Sequence, residues 1–268
     1  MREIALHAQA LTASRHKSGV RNLAQNVQNN VQNSVQHIVE VTKLASSPQC
    51  EKQPGAIMRN LYDAKFETVS AWKSDGYYDQ AEFYLSPFWD SGTPFRFLFD
   101  KLDTTDVVEL ACGHGRHVPI YQSVASTITL VDPNEENITF CKNRFADKKF
   151  AVKIKYVINT GNELSAIEDT SKTALFCYDA MVHFELLDIH MYLLEIYRIL
   201  QPGGKALLHH SNTTFNPCAP NSERQGRRNV MSAEIFTHLA SRANLTVLQQ
   251  IILPWGVANL DCLTLLRK

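Results

Sequence analysis

"VVELACGHGRHVPI", residues 107–120, passes from apolar to glycine-rich and back to apolar within a few positions. It reads as a buried strand over 107–111, a tight turn at Cys112-Gly113-His114-Gly115, and a helix from about residue 115. Gly113 and Gly115 keep Cβ atoms out of the way of a ligand that approaches the backbone. Downstream, strand 127–131 precedes a helix across 135–146. Strand 153–158 follows, then strand 174–178 and a long helix at 187–200. "QPGG" (201–204) ends that helix by proline and glycine chemistry. "KALLHH" (205–210) reads as a strand, and "MSAEIFTHLASRA" (231–243) as a helix with Ser232 at its N-cap. Alternating strands and helices imply a mostly parallel sheet covered on both faces. "TVLQQIILPW" and "DCLTLLRK" are two strands whose short joint, around Gly256, requires an antiparallel hairpin.

Upstream the pattern changes. Val20, Leu23, Val27, Val31, Val35 and Ile38 form one apolar stripe of an amphipathic helix, the rest of whose surface is nearly uncharged. Two readings stand side by side: an arm packed on its own domain, or a homodimer contact. "SSPQCEKQPG" (46–55) is a linker by its turn formers, and the aromatic-rich stretch 56–100 suits two or three short helices. The expected organisation is an N-terminal helical arm and linker at 1–55 and one domain at 56–268, with a helical lid over 56–100 and an α/β core over 101–268.

Composition bounds the rest. The chain has 268 residues, 44% hydrophobic and 20% charged, with 27 basic residues against 27 acidic. That balance gives no electropositive footprint for nucleic acid. No apolar run approaches the roughly 18 residues of a membrane span, and the N-terminus is too broken for a secretory signal. The six cysteines show no CxxC pair and no zinc spacing, so no metal is expected and a reduced, cytoplasmic protein is the simplest reading.

In a parallel sheet the ligand lies at the carboxyl ends of the strands. Strand 127–131 ends in "LVDPN", where Asp132 can accept both hydroxyls of a ribose. A dinucleotide fingerprint needs G-x-G-x-x-G, and this turn lacks the third glycine of that spacing. Glu109, two residues before the turn, would repel a pyrophosphate but suit a cationic amino group. S-adenosylmethionine carries an ammonium and a sulfonium and no phosphate, so these residues favour it over NAD.

The same residues resemble class I S-adenosylmethionine-dependent methyltransferases over roughly residues 60–268. "VVELACGHGR" is similar to the family's acidic-x-G-x-G-x-G motif, with Ala111 at its first glycine. "LVDPN" resembles the second motif, and "YRILQPGGKALL" (197–208) the segment before strand five. The resemblance implies a Rossmann-like seven-stranded sheet, its last strand antiparallel, and a ribose held by Asp132. "YDAMVHFE", "HHSN", "RRNVMSAEIF" and "ILPWGVANLDCLTLL" look closest to bacterial small-molecule methyltransferases of sugar or secondary-metabolite biosynthesis. One departure stands out: where the family places an acid to read adenine, this chain has Thr160. That leaves Gly161 and Asn162, or Glu163 reaching round, for that task.

The expected cofactor contacts are Tyr78, Glu109, Ala111, Cys112, Gly113, Arg116, Asp132, Pro133, Gly161, Asn162, Asp179 and Ala180. Tyr78 serves as a lid, because aromatic faces suit a sulfonium. The expected catalytic residues are His183 and His210, either of which takes the acceptor's proton, with Asp179 orienting the imidazole. Arg224, Arg227 and Arg228 are either a solvated loop or a site for an acidic group. The expected activity is methyl transfer to an oxygen or nitrogen of a small molecule. Its rivals are an NAD-dependent oxidoreductase and a non-catalytic S-adenosylmethionine-binding protein.

Overall fold

A computed structural model describes residues 61–72, 75–146, 152–215, 217, 219 and 223–268. The N-terminal arm, and with it the expected dimer helix, lies outside the described residues. Helices α1 (Leu61–Ala71), α2 (Asp75–Ala81), α3 (Ser86–Trp89) and α4 (Pro94–Phe99) lead into the sheet. It is built from β1 (Asp106–Leu110), β2 (Thr127–Asp132), β3 (Lys153–Ile158), β4 (Lys172–Cys177), β5 (Leu200–Ser211), β6 (Thr246–Leu253) and β7 (Asp261–Arg267). Between strands lie α5 (Val118–Tyr121), α6 (Glu135–Arg144), α7 (Leu186–Ile199) and α8 (Ala233–Arg242).

The seven strands run in the order β3-β2-β1-β4-β5-β7-β6. β1 to β5 are parallel, and β7 pairs antiparallel with both β5 and β6. This is the mixed, mostly parallel sheet that the alternation and the closing hairpin imply. Two apolar clusters cover its faces. Val108, Leu110, Leu175 and Leu208 belong to the one under α7 and α8. Val107, Phe176 and Leu207 belong to the one shared with α4 and α5. Neighbours in a strand thus face opposite layers.

Local chemistry explains the boundaries. Ser232 caps α8, its side chain accepting from the Ile235 backbone N–H at 3.2 Å. The helix expected from residue 115 is reduced to the single turn α5, because Gly115 sits at φ +69° and Pro119 has no N–H to extend a helix backward. "QPGG" ends α7 as expected, yet its backbone forms the first part of β5 rather than a loop. A Cβ on Gly204 would stand 2.9 Å from the Gln201 carbonyl, so only glycine fits there. No helix among the described residues is long and apolar enough to cross a membrane.

Candidate functional site

The carboxyl ends of β1, β2 and β4 open onto a cleft roofed by α1 and α2. Its volume is about 870 Å³, solvent at its mouth included. Of the residues expected in the site, Tyr78, Ala111, Cys112, Gly113, Arg116, Asp132, Pro133, Gly161, Asp179, Ala180 and His183 line it.

The turn after β1 has a left-handed backbone at three positions: Ala111 (φ +57°), Gly113 (φ +52°) and Gly115 (φ +69°). Glycine adopts this conformation freely; a residue with a Cβ pays about 1–2 kcal/mol. Ala111 therefore holds strain at the position where the family's motif has its first glycine. A Cβ on Gly113 would lie 2.4 Å from Cε1 of Tyr78, and one on Gly115 would lie 2.7 Å from Cε2 of Phe145. Gly113 thus admits Tyr78, and Gly115 lets the turn sit against the end of α6. Tyr78 is held in turn: its hydroxyl donates to the Trp72 carbonyl at 2.9 Å and accepts from Asn137 at 3.2 Å. Its ring stacks on His114 with centroids 4.2 Å apart.

Asp132 ends β2, and its carboxylate ties the turn to the second strand. Oδ2 accepts the Gly113 N–H at 2.9 Å; Oδ1 accepts the Asn134 N–H at 2.9 Å and the Asn137 amide at 3.0 Å. Burial raises its pKa against the pull of those donors. A carboxylate has about four acceptor sites, so these bonds leave about one free lone pair on Oδ2.

The third element is Asp179, just past β4 and left-handed at φ +57°. Its Oδ2 accepts the Tyr77 hydroxyl at 2.6 Å and Arg116 Nη2 at 2.9 Å. Burial opposes the Arg116 charge, but Asp179 outweighs it and raises the guanidinium pKa. His183, on the one-turn helix Met181–His183, packs tilted against Trp72 with ring centroids 4.6 Å apart. Its Nδ1–H donates to the Arg227 carbonyl at 3.0 Å, which leaves the lone pair on Nε2. Burial lowers its pKa to about 4. The ring is therefore neutral at physiological pH and able to accept a proton.

Three expectations are corrected. Glu109 is not in the cleft: it shares the layer of Val107, and its Oε2 accepts the Tyr121 hydroxyl at 2.8 Å beneath α5. Burial lifts its pKa to about 8, so it is mostly protonated at neutral pH and cannot pair with an ammonium. His210 is not in the cleft either. Its Nδ1 contacts the Ser211 carbonyl at 2.8 Å, its Nε2 contacts Thr264 Oγ1 at 2.8 Å, and Phe236 stacks on its face at 3.9 Å. Both nitrogens are engaged in the α8 layer, so no catalytic base stands there. Asn162 lies behind the lining, its amide donating to Asp188 at 2.9 Å.

Glu163 does not reach round for adenine, because its carboxylate accepts the backbone N–H groups of Thr160 and Ser165 at 3.0 and 2.6 Å. Gly161 stays at the cleft wall. Arg228 is buried against Asp261 at 3.0 and 2.7 Å, and Arg224 donates to the Pro217 carbonyl at 2.9 Å. The acidic-group reading thus loses two of its three arginines.

Several lining residues escaped the sequence reading. Trp72, Tyr77 and Lys65, the last 3.8 Å from Asp188, line the cleft and belong to no motif. The available signal was the run of aromatics, Trp72, Tyr77 and Tyr78, ahead of the glycine turn. His117 also lines the cleft, its Nδ1 accepting the Trp89 indole N–H at 2.9 Å.

Residues 108–208 match the family model described as "Methyltransferase domain". This segment is similar to a methyltransferase domain. Beyond it the likeness is one of fold. A putative methyltransferase solved in complex with the Haloferax volcanii Trm112 methyltransferase activator is 16% identical, with a TM-score of 0.55 over 74% of this chain and 96% of that one. An S-adenosylmethionine-dependent methyltransferase from Mesorhizobium loti is 14% identical, with a TM-score of 0.55 over 67% of this chain and 99% of that one. Phosphoethanolamine N-methyltransferase 1 from Haemonchus contortus, solved with phosphoethanolamine and S-adenosylhomocysteine, is 15% identical, with a TM-score of 0.56 over 78% of this chain and 50% of that one. No curated protein matches the sequence.

Proposed function

We propose that this protein is a methyltransferase that uses S-adenosylmethionine to methylate an oxygen or nitrogen of a small molecule, with a sugar or secondary metabolite as the favoured acceptor class. The observation that carries this reading is the Gly113–Asp132 pair. A left-handed glycine turn and the acid ending the next strand are joined by a 2.9 Å bond at one cleft wall. A nucleoside fits there, its ribose reaching the free lone pair of Asp132 and its adenine passing along Gly161.

Charge also fits. The two lysine and arginine side chains of the lining, Lys65 and Arg116, each face an acid, while Asp132 has only neutral donors. Such a wall favours a cationic donor over an anionic one. A dinucleotide finds less support, because α5 is a single turn and gives a pyrophosphate no extended helix N-terminus.

When bound, the donor supplies an electrophilic methyl, whose transfer to an acceptor lone pair leaves the C–S bonding electrons on sulfur. The protein's part is to align the reactants and exclude water, a contribution of about 7–11 kcal/mol. Trp72, Tyr77 and His183 form the aromatic wall beside Asp179. Nε2 of His183 takes the proton that an alcohol or ammonium acceptor releases. The four described cysteines, Cys112, Cys141, Cys177 and Cys262, are free thiols, which suits a reducing, cytoplasmic setting. The arm at residues 1–55 pairs two subunits in this reading, and sizing chromatography of a chain lacking residues 1–45 should then show a monomer.

Calorimetric titration with S-adenosylmethionine tests the donor. Saturable binding supports the donor reading, and its absence favours the dinucleotide alternative; binding without methyl transfer to any acceptor would instead favour the non-catalytic one. Mass spectrometry of a metabolite extract incubated with enzyme and donor then looks for the gain of one methyl.

A further inference from the structure

Asp179 faces the cleft from a left-handed backbone, a conformation that a residue with a Cβ keeps only when its surroundings hold it. What holds it is a buried row of groups on the far side of the strand ends. The Asp179 N–H donates to Nδ1 of His209 at 3.1 Å. The lone pair of His209 is therefore on Nδ1, and the proton of its neutral ring is on Nε2. Nε2 lies 3.2 Å from Oδ2 of Asp261, close enough for attraction but too far off line for a straight hydrogen bond. Asp261 in turn accepts two bonds from Arg228. Burial raises the Asp261 pKa, but His209 and Arg228 outweigh it and hold the carboxyl at about 2. His209 and Asp261 are 0% exposed and Arg228 is 4% exposed.

Topology puts the row there. β5 and β7 pair antiparallel, with Ser211 opposite Asp261, so His209 and Asp261 come from strand ends that meet beside β4. The row also touches the site twice. Arg227, the neighbour of Arg228, supplies the carbonyl that fixes His183 Nδ1, and Tyr178, a cleft residue, stacks on His209 at 4.7 Å.

We propose that His209, backed by Asp261 and Arg228, is a positioning residue that holds the Asp179 backbone so that its carboxylate, with Tyr77 and Arg116, shapes the donor site. The inference rests on the donor-binding reading above. Two variants separate positioning from packing. In His209→Asn the amide oxygen falls near the place of Nδ1 and still accepts the Asp179 N–H. In His209→Gln the amide falls near Nε2 and faces Asp261, while the Asp179 N–H loses its acceptor.

Two measurements are made on both variants: hydrogen exchange of the Asp179 amide in the ligand-free protein, and the Kd for S-adenosylhomocysteine. H209Q should exchange that amide at least tenfold faster than wild type and bind at least tenfold more weakly. H209N should stay within about threefold of wild type in both. Equal exchange in the two variants overturns the brace. Faster exchange in H209Q without weaker binding overturns its role at the site. An Asp261→Asn chain, which keeps His209 in place, should fall between the two variants in both readouts; wild-type values there would also count against the row. A wild-type protein that shows the exchange difference but never binds the probe would instead sink the donor-binding reading.

Discussion

Replacing Glu109 by Gln tests whether the acid of the glycine motif is a ligand group or a buried proton carrier. In the folded protein its pKa rises from 4.5 to about 8, mainly through burial and against the hydrogen bond from Tyr121. A carboxyl whose folded pKa lies above its unfolded one lends stability that is fully present below about pH 4.5 and is lost as pH rises through about 8. The climb from 4.5 to about 8 amounts to roughly 4–5 kcal/mol at about 1.4 kcal/mol per pH unit. Most of it, about 4 kcal/mol, falls between pH 5 and 8.5.

Gln keeps an oxygen for the Tyr121 hydroxyl and places an uncharged amide where Oε1 has no partner. At pH 5, then, the two proteins should have similar stability. Urea unfolding across pH 5 to 8.5 should show wild type losing about 4 kcal/mol more than Glu109→Gln. Groups common to both, including His183 and His210, cancel in that difference. Parallel pH profiles would refute the argument, because they would mean that Glu109 ionises in the fold at its ordinary pKa. S-adenosylmethionine affinity should change less than threefold, since the carboxyl lies outside the cleft.

Ala111→Gly should stabilise the fold by about 0.5–1 kcal/mol: the left-handed strain of about 1–2 kcal/mol is relieved, partly offset by the freedom glycine adds to the unfolded chain. A lowered urea midpoint at unchanged slope would contradict that. Gly113→Ala places a Cβ 2.4 Å from the Tyr78 ring at φ +52°; donor affinity measured by calorimetry should fall at least tenfold, and unchanged affinity would show that the turn is not the binding surface. Because the His183 pKa is lowered to about 4, its neutral form persists as pH falls and is lost only near pH 4. The acid limb of turnover due to this residue should therefore lie near pH 4 rather than 6.5. His183→Ala should remove that limb and slow an acceptor that must lose a proton by roughly 10²- to 10⁴-fold.

What the sequence made legible here was local. The Ser232 cap acts on a residue three positions away, and the left-handed turn is written in Gly113 and Gly115 themselves. Their meeting with Asp132 follows from β1 and β2 being neighbours. What it hid was the direction of side chains at strand ends. In a strand buried on both faces, apolar residues flank every position, so polarity does not mark which layer is which. Glu109 lies with Val107 in the α4–α5 layer for that reason, where an alternating one-sided strand would have announced its face.

The histidine pair is the sharper case. His209 and His210 are chemically identical and adjacent, so no pattern separates them. Distant partners do. Thr264 and Phe236 draw His210 into one layer, while Asp261 and the Asp179 amide receive His209 in the other. Each partner sits 26 or more residues away along the chain: Thr264 and Asp261 on β7, which enters between β5 and β6, Phe236 on α8, and Asp179 just past β4. Register and pleat, rather than distance along the strand, decide which of the two neighbours lies against the Asp179 backbone.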